Sequence, residues 1–356
     1  MNKKILIIDD SALMRRVISD IINADDRLTV ADTASNGLQA IQLLSEEKTY
    51  DMILCDIMMP KMDGVAFLKE LSKRDIHVPV LIVSSIAEKE GKETMEALEL
   101  GAFDFVRKPE RSVGSVFREF EASIIQRVYC ACGLTRQSME ETIREIKIDP
   151  KLTKKSKKPC SVRRGDNLLV IASSTGGPKA LQSVVPLIPA DFPYPVVLIQ
   201  HMPKGFTGSL AARLNELSPL RVKEACDGEP LRPGTLYIAM GGKQCQLIQK
   251  RPGEYYISEK DAEARGGLKP CADIFYESLV NTSLDKIYSI VLTGMGSDAT
   301  KGIQLLKQTK KVEVVAQDRE SCVVYGMPRA AALAGIVDEM VPLTEITKTM
   351  LKRIGV

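Results

Sequence analysis

The chain has 356 residues, of which 44% are hydrophobic, and a formal net charge of +3. This length predicts two domains that each bury a core. The small net charge provides no basic face for nucleic acid, so we expect no nucleic-acid partner. There is also no apolar run of about 18 residues, so we expect no membrane insertion. The eight cysteines are scattered along the chain, which argues against a disulfide framework and favours a cytoplasmic protein.

The first part of the chain alternates short apolar runs with amphipathic segments. "ALMRRVISDIIN" (12–23) and "GLQAIQLLSEE" (37–47) have the apolar spacing of helices. Alternating strands and helices predict βαβ units around a parallel sheet. We therefore expect a first domain over residues 1–125 with five strands, near residues 4–9, 28–34, 51–55, 78–84 and 102–107.

A helical extension and a basic linker are predicted over residues 126–165. Val116, Phe120, Ile124 and Val128 follow helical spacing within a predicted helix over 112–146. The segment "KLTKKSKKPCSVRRG" (151–165) is rich in lysine and arginine and poor in large apolar residues. Such composition indicates a flexible linker, and the alternative is a docking patch for an acidic partner.

Residues 166–356 alternate again and predict a second α/β domain. Turn-rich β segments are expected near 220–260, which allows an antiparallel excursion in a doubly wound, mostly parallel sheet. The remaining apolar runs lie at 167–172, 195–200, 234–240, 287–294 and 312–317.

Acidic residues follow two strands of the first domain. Asp9 and Asp10 come after "KILII", and Asp56 comes after "MILC". Ligand sites of open parallel sheets lie at the carboxyl ends of the strands, so these carboxylates should converge. A hard cation such as Mg²⁺ would relieve their repulsion, and an aspartate can accept a phosphoryl group. Ser84 and Lys108, at two other strand ends, could hold the phosphoryl oxygens.

The motifs "IIDDS", "CDIMMPKMDG", "LIVSS" and "FVRKP" resemble those of two-component response regulator receiver domains. The resemblance implies a flavodoxin-like fold in which Asp56 is the phosphoacceptor and Asp9 and Asp10 complete the metal site. It places Ser84 and Lys108 on the phosphoryl group. It also implies that Phe105 is an aromatic switch and that Lys108–Pro109 is a cis bond. His77 lies apart from this set, and we interpret it as a structural or surface residue.

Serine, histidine and aspartate follow three strands of the second domain. Ser173 and Ser174 follow "NLLVIA", His201 follows "VVLIQ", and Asp298 follows "IYSIVLTGMGS". These are the residue types of a nucleophile, a base and an orienting carboxylate. A phosphate cradle in "STGGP" is the alternative, because a glycine turn before a helix also binds anions. The Ser-His-Asp order differs from the order in α/β-hydrolases.

Four segments, "ASSTGGPKAL", "IQHMPKGFT", "LTGMGSDATKG" and "VVAQDRESCVVYGMPRAA", resemble the catalytic domain of chemotaxis protein-glutamate methylesterases. The resemblance assigns Ser174, His201 and Asp298 as the triad and places Thr175 and Met295 in the site lining, with the Met295 backbone near the oxyanion. The chain departs from the family at Ala299, where glycine is common, at Cys271, where serine is usual, and at Met240 and Cys245.

The two resemblances together imply a phosphorylation-regulated esterase. Its substrates would be methylated glutamates of methyl-accepting chemoreceptors, its phosphodonor a chemotaxis histidine kinase, and its alcohol product methanol. Mg²⁺ would serve phosphorylation, and ester hydrolysis would need no cofactor. Some members of the family also deamidate glutamines at the same sites, and the same attack on a carboxamide carbonyl is compatible with that reaction. The alternatives are a catalytically inactive adaptor or a response regulator with a different output.

Overall fold

The computed structural model describes residues 2–46, 48–85, 88–109, 114–134 and 166–356. The chain divides into two compact units, Met1–Arg136 and Gln137–Val356. The predicted linker (151–165) and the end of the predicted helix over 112–146 lie outside the described residues. None of the described helices is both long and apolar enough to cross a membrane.

The first unit contains a five-stranded parallel sheet in the order β2-β1-β3-β4-β5. This confirms the predicted fold. Its strands are β1 (Lys3–Ile8), β2 (Leu28–Ala34), β3 (Met52–Asp56), β4 (Val80–Ser84) and β5 (Asp104–Arg107). Its helices are α1 (Ala12–Asn23), α2 (Gly37–Ser45), α3 (Gly64–Lys73), α4 (Glu88–Glu99) and α5 (Ser115–Ala131).

Side-chain caps and apolar spacing explain these helices. Ser11 and Asp63 accept hydrogen bonds from the backbone N–H groups of the first turns of α1 and α3. Phe120, Ile124 and Val128 of α5 are buried in the same core as the strands, as their spacing predicts. Helix α5 therefore extends past residue 125 as part of the first unit.

The second unit contains a seven-stranded parallel sheet in the order β14-β13-β12-β6-β7-β9-β8. The expected antiparallel excursion is a separate hairpin of β10 and β11. The strands are β6 (Asn167–Ser173), β7 (Val196–Gln200), β8 (Arg221–Glu224), β9 (Thr235–Ile238), β10 (Gln244–Arg251), β11 (Glu254–Lys260), β12 (Lys286–Val291), β13 (Lys311–Gln317) and β14 (Glu339–Val341). The helices are α6 (Gly177–Val184), α7 (Thr207–Leu217), α8 (Ala272–Leu279), α9 (Thr300–Lys307), α10 (Met327–Leu333) and α11 (Ile346–Ile354).

In each sheet the strand order reverses beside the first strand of the unit. In the first unit β1 lies between β2 and β3, and in the second unit β6 lies between β7 and β12. Successive connections leave the sheet in opposite directions there, which opens a crevice beyond the carboxyl ends of the strands. The predicted triad and the three predicted carboxylates lie at or after the ends of the strands that form these crevices.

Candidate functional site

The predicted triad lies at the reversal of the second sheet. Ser174 directly follows β6, His201 directly follows β7, and Asp298 lies in the loop between β12 and α9. Strands β12 and β7 both pair with β6, so the sheet brings these three loops to one edge. His201 Nε2 and Asp298 Oδ2 are 2.7 Å apart.

The imidazole of His201 is almost fully enclosed, with 8% of its side chain exposed. Since Nε2 donates to the Asp298 carboxylate, Nδ1 is the nitrogen left to accept a proton. Nδ1 is buried and makes no hydrogen bond with any described residue. The ring is therefore oriented by one nitrogen and has a free lone pair on the other.

The Asp298 carboxylate is fixed by the first turn of α8. It accepts from the backbone N–H groups of Ala272 at 2.6 Å and Asp273 at 2.9 Å, and from Cys271 Sγ at 3.2 Å. Burial on its own would raise the pKa of Asp298. The hydrogen bond and charge of His201 and the two backbone donors lower this pKa by more than burial raises it, so the net shift is downward. Asp298 is therefore ionised at neutral pH.

A second carboxyl group lies next to Asp298. Burial, and then the negative charge of Asp298, raise the pKa of Asp273 to about 7. Asp273 Oδ1 also accepts from the Gly302 N–H at 2.7 Å, which ties α8 to α9. Sequence reasoning missed this residue, because an aspartate in the first turn of a helix is common without a partner carboxylate.

The turn that carries Ser174 depends on glycine. Gly176 has a φ of +76°, and a Cβ atom at Gly294 would lie 2.7 Å from the Ser174 Cβ. Ser174 N donates to Thr293 O at 3.1 Å, and Gly177 N donates to Ser174 O at 2.7 Å. Ser174 is half-buried and directly follows β6 at the crevice, whereas the preceding Ser173 is buried.

Ser173 is fully buried and is not accessible to a substrate. Its Oγ donates to Gln200 Oε1 at 2.6 Å. Thr175 is buried, and its carbonyl accepts from Thr293 Oγ1 at 3.0 Å. Met295 is half-buried in the loop after β12, and its backbone N–H makes no hydrogen bond with any described residue. That N–H is a donor suited to an oxyanion.

The predicted acidic site lies at the reversal of the first sheet. Three carboxylate oxygens lie within 4.8 Å of one another, one each from Asp9, Asp10 and Asp56. Lys108 Nζ lies 2.9 Å from Asp9 Oδ2 and 2.7 Å from Asp56 Oδ2. Three oxygen donors in one small space suit Mg²⁺, and the ammonium group partly neutralises the carboxylates.

The protonation of Asp56 reflects this setting. Burial raises the pKa of Asp56 to about 6, the neighbouring Asp9 adds to the rise, and Lys108 opposes it. Burial would lower the pKa of Lys108, but the two carboxylates outweigh burial and raise it. The lysine is therefore charged, while Asp56 is more easily protonated than an ordinary aspartate.

The remaining receiver residues lie on β4 and β5. Ser84 is buried and accepts from Thr94 Oγ1 at 3.0 Å, and Phe105 is buried. The expected cis bond at Lys108–Pro109 is wrong, since the cis peptide bond of the described chain is Lys269–Pro270. Lys108 N donates to Ser84 O at 2.7 Å, which continues the pairing of β4 and β5 past the strand end.

His77 is a surface residue, as the sequence predicts. Its side chain is 84% exposed and lies 2.9 Å from Asp75 Oδ1.

Two different protein families match the two units of the chain. Residues 169–350 match the family model described as CheB methylesterase, and residues 5–113 match that of the response regulator receiver domain. The crystal structure of the Thermotoga maritima CheB methylesterase catalytic domain is 38% identical to this chain. It covers 52% of this chain and 97% of its own, with a TM-score of 0.49.

Curated relatives match over nearly the full length. A "Protein-glutamate methylesterase/protein-glutamine glutaminase 1" of Syntrophomonas wolfei subsp. wolfei is 39% identical over 98% of both chains. A "Protein-glutamate methylesterase/protein-glutamine glutaminase" of Bacillus subtilis (strain 168) is 39% identical over 98% of this chain and 97% of its own. The chain therefore belongs to the CheB methylesterase family and carries a response regulator receiver domain ahead of its catalytic region.

Proposed function

We propose that this chain is a protein-glutamate methylesterase in which Ser174 is the nucleophile, His201 the general base and Asp298 the orienting carboxylate. The observation that carries this assignment is the 2.7 Å contact between His201 Nε2 and the buried Asp298 Oδ2, at the sheet edge where Ser174 is half-buried. A phosphate cradle would not require this pair, which disfavours the phosphate-binding alternative. The same pair argues against an inactive adaptor and against a different output.

Ester hydrolysis proceeds in two halves. Ser174 Oγ attacks the ester carbonyl and gives its proton to His201 Nδ1, and the oxyanion accepts from the Met295 N–H. Methanol leaves with the proton that His201 returns. His201 then takes a proton from water, which attacks the acyl-enzyme carbonyl. The bond to Ser174 Oγ breaks as His201 returns this proton to Oγ, and the glutamic acid product loses its own proton to solvent as a carboxylate.

Asp298 has two tasks in this scheme. Its hydrogen bond to Nε2 fixes the tautomer in which Nδ1 is a base, and its negative charge stabilises the imidazolium that forms. The backbone donors from Ala272 and Asp273 keep Asp298 ionised in a buried place. No step of the hydrolysis needs a cofactor.

The same site supports deamidation of protein glutamine. Attack of Ser174 on a side-chain carboxamide would form the same acyl-enzyme and release ammonia. The two curated relatives carry both activities in their names. We propose methyl-accepting chemoreceptors as the substrates of both reactions, in the cytoplasm.

The receiver domain supplies the control. A chemotaxis histidine kinase would donate the phosphoryl group to Asp56, with Lys108 and Ser84 contacting its oxygens. Asp9, Asp10 and Asp56 would hold Mg²⁺, which when bound neutralises the charge on the carboxylates and the incoming phosphoryl group. Phe105 would report the change at the surface of the domain. Residues 1–125 and 166–356 would be the two functional domains, joined by a linker.

Methanol release from methylated receptors tests the catalytic assignment. We expect Ser174→Ala to lose on the order of 10⁴–10⁶ in rate, because triad members act as a unit. Ser183→Ala, an exposed serine on α6, is the matched control and should keep the wild-type rate. Equal release by wild type and Ser174→Ala would overturn the assignment. Equal rates with and without a small phosphodonor, with Asp56 shown to be phosphorylated, would overturn the control by the receiver.

A further inference from the structure

A buried glutamine joins the loops that carry the nucleophile and the base. Gln200 is the last residue of β7 and is 2% exposed. Its Nε2 donates to the Ser174 carbonyl and to the His201 carbonyl, each at 3.0 Å. Its Oε1 accepts from Ser173 Oγ at 2.6 Å. Both hydrogens of the amide and its oxygen are therefore used inside the protein.

This bridge begins where the pairing of β6 and β7 ends. The last paired residues of these strands are Ser173 and Gln200, and His201 N still donates to Ser173 O at 3.0 Å. Beyond this point the strand ladder no longer fixes the distance between the two loops. The Gln200 amide links the two loops there, because its two N–H bonds donate to one backbone carbonyl from each loop.

The glycine turn makes room for the amide. A Cβ atom at Gly177 would lie 2.1 Å from Gln200 Oε1, so this position admits no side chain. The Ser174 carbonyl also accepts from Gly177 N at 2.7 Å. The peptide unit after Ser174 is thus held from two sides, by the start of α6 and by Gln200.

We propose that Gln200 is a positioning residue that sets the alignment of Ser174 and His201 through their backbone carbonyls. The proposal rests on the proposed function, in which Ser174 and His201 react together. Gln200 does not touch the substrate, because its side chain is enclosed and all its polar atoms are bonded within the protein. Its loss should therefore lower kcat and leave KM nearly unchanged.

Gln200→Glu provides the discriminating readout. An ionised glutamate has two acceptors and no donor, so it would repel both carbonyl oxygens. A protonated glutamate regains one donor and rebuilds one of the two bonds. We expect kcat to fall about 10–100-fold at alkaline pH, where the loops separate, with KM within about twofold of wild type. The ratio of variant to wild-type kcat should rise as the pH is lowered.

Two further variants separate alignment from general stability. Gln200→Met keeps the approximate side-chain length, removes all three hydrogen bonds, and should show the low kcat at every pH. Thr347→Ala removes another buried bond to a backbone carbonyl, from Thr347 Oγ1 to Val184 O at 2.8 Å, away from the triad. It should lower the melting temperature without changing kcat. Melting curves of all variants give the fraction of folded protein at the assay temperature, and each kcat is calculated for that folded fraction.

The outcomes distinguish this proposal from the proposed function. If Ser174→Ala is inactive while folded Gln200→Glu keeps a constant ratio to wild-type kcat across pH, the positioning role is wrong and the triad stands. A kcat loss in Thr347→Ala as large as in Gln200→Met would also overturn it. If Ser174→Ala itself keeps activity, the proposed function fails first. Methanol release from methylated receptors is the assay in each case.

Discussion

His201 Nε2 lies 2.7 Å from Asp298 Oδ2, and the carboxylate that holds it is itself held by the N-terminus of a helix. Backbone N–H groups do not titrate in the pH range of protein side chains, so they remain donors to the ionised carboxylate of Asp298 throughout that range. The helix dipole adds to this effect. The orientation of the imidazole therefore depends on Asp298 and also on the three groups that hold Asp298, which are the Cys271 thiol and the N–H groups of Ala272 and Asp273.

Asp298→Asn should abolish most of the activity while the protein stays folded. With its NH₂ toward His201, the amide would donate to Nε2 and leave the proton on Nδ1, so Nδ1 could not act as the base. With its oxygen toward His201, the amide would place its NH₂ against the Asp273 N–H, donor against donor. We expect kcat to fall about 10⁴-fold. Methanol release and a melting curve measure both effects. A loss of less than tenfold would contradict the role of Asp298, and Cys271→Ser, which keeps a donor to Asp298, should remain active.

Ala299 is strained where glycine is common in the family. It has a φ of +77°, directly after Asp298 and before α9. A left-handed backbone costs a residue with a Cβ about 1–2 kcal/mol. Ala299→Gly should therefore cost about 1–2 kcal/mol less stability than Ala334→Gly, since Ala334 has a φ of −76°. Urea unfolding of the two variants at one pH measures the difference, and equal losses would show that position 299 is unstrained.

The sequence predicted the fold and the triad because strand ends are visible as apolar runs that stop at polar residues. Ser174, His201 and Asp298 each follow such a run, and a parallel sheet brings them together. Gln200 was missed because a glutamine at the end of "VVLIQ" looks like a solvated residue. Only the structure shows that its amide meets carbonyls of two loops far apart along the chain.

The edge strands of the second sheet and several contacts between residues could not be predicted from the sequence. Strands β8 and β14 have four and three residues, too short for an alternating pattern to be read. The link from Asp273 to Asp298 depends on how α8 packs beside the loop after β12, which follows from tertiary contacts and not from local spacing. The trans bond at Lys108–Pro109 likewise departs from what the family pattern implied.

Mg²⁺ should stabilise the protein more at alkaline than at acidic pH. Since the pKa of Asp56 is raised from 3.8 to about 6, the folded state loses stability as the pH rises through this range. A bound cation would recover that loss, because it favours the ionised carboxylate. We expect a rise in melting temperature with Mg²⁺ at about pH 8 and little at about pH 5. In Asp56→Asn the Mg²⁺ effect should shrink at both values; an undiminished effect there would place the cation elsewhere.

Glu259 should make the second unit less stable as the pH rises. Its Oε1 accepts from Met240 N at 3.1 Å, while its Oε2 is buried without a hydrogen-bond partner among the described residues. Burial, as the main cause, raises the pKa of Glu259 from 4.5 to about 7. Because the raised pKa means that the folded state binds the proton more tightly than the unfolded state, stability present below about pH 4.5 is lost as the pH rises toward 7.

Glu259→Gln removes this pH dependence because the amide stays neutral and keeps an acceptor for the Met240 N–H. We expect the variant to be more stable than wild type above pH 7, by on the order of 2 kcal/mol, and no more stable than wild type at about pH 4.5. Urea unfolding across this pH range measures the difference. Glu263→Gln is the matched control, because Glu263 is exposed and its substitution should leave the pH dependence of the wild type intact. Parallel stability curves for Glu259→Gln and wild type would mean that Glu259 does not carry the buried charge.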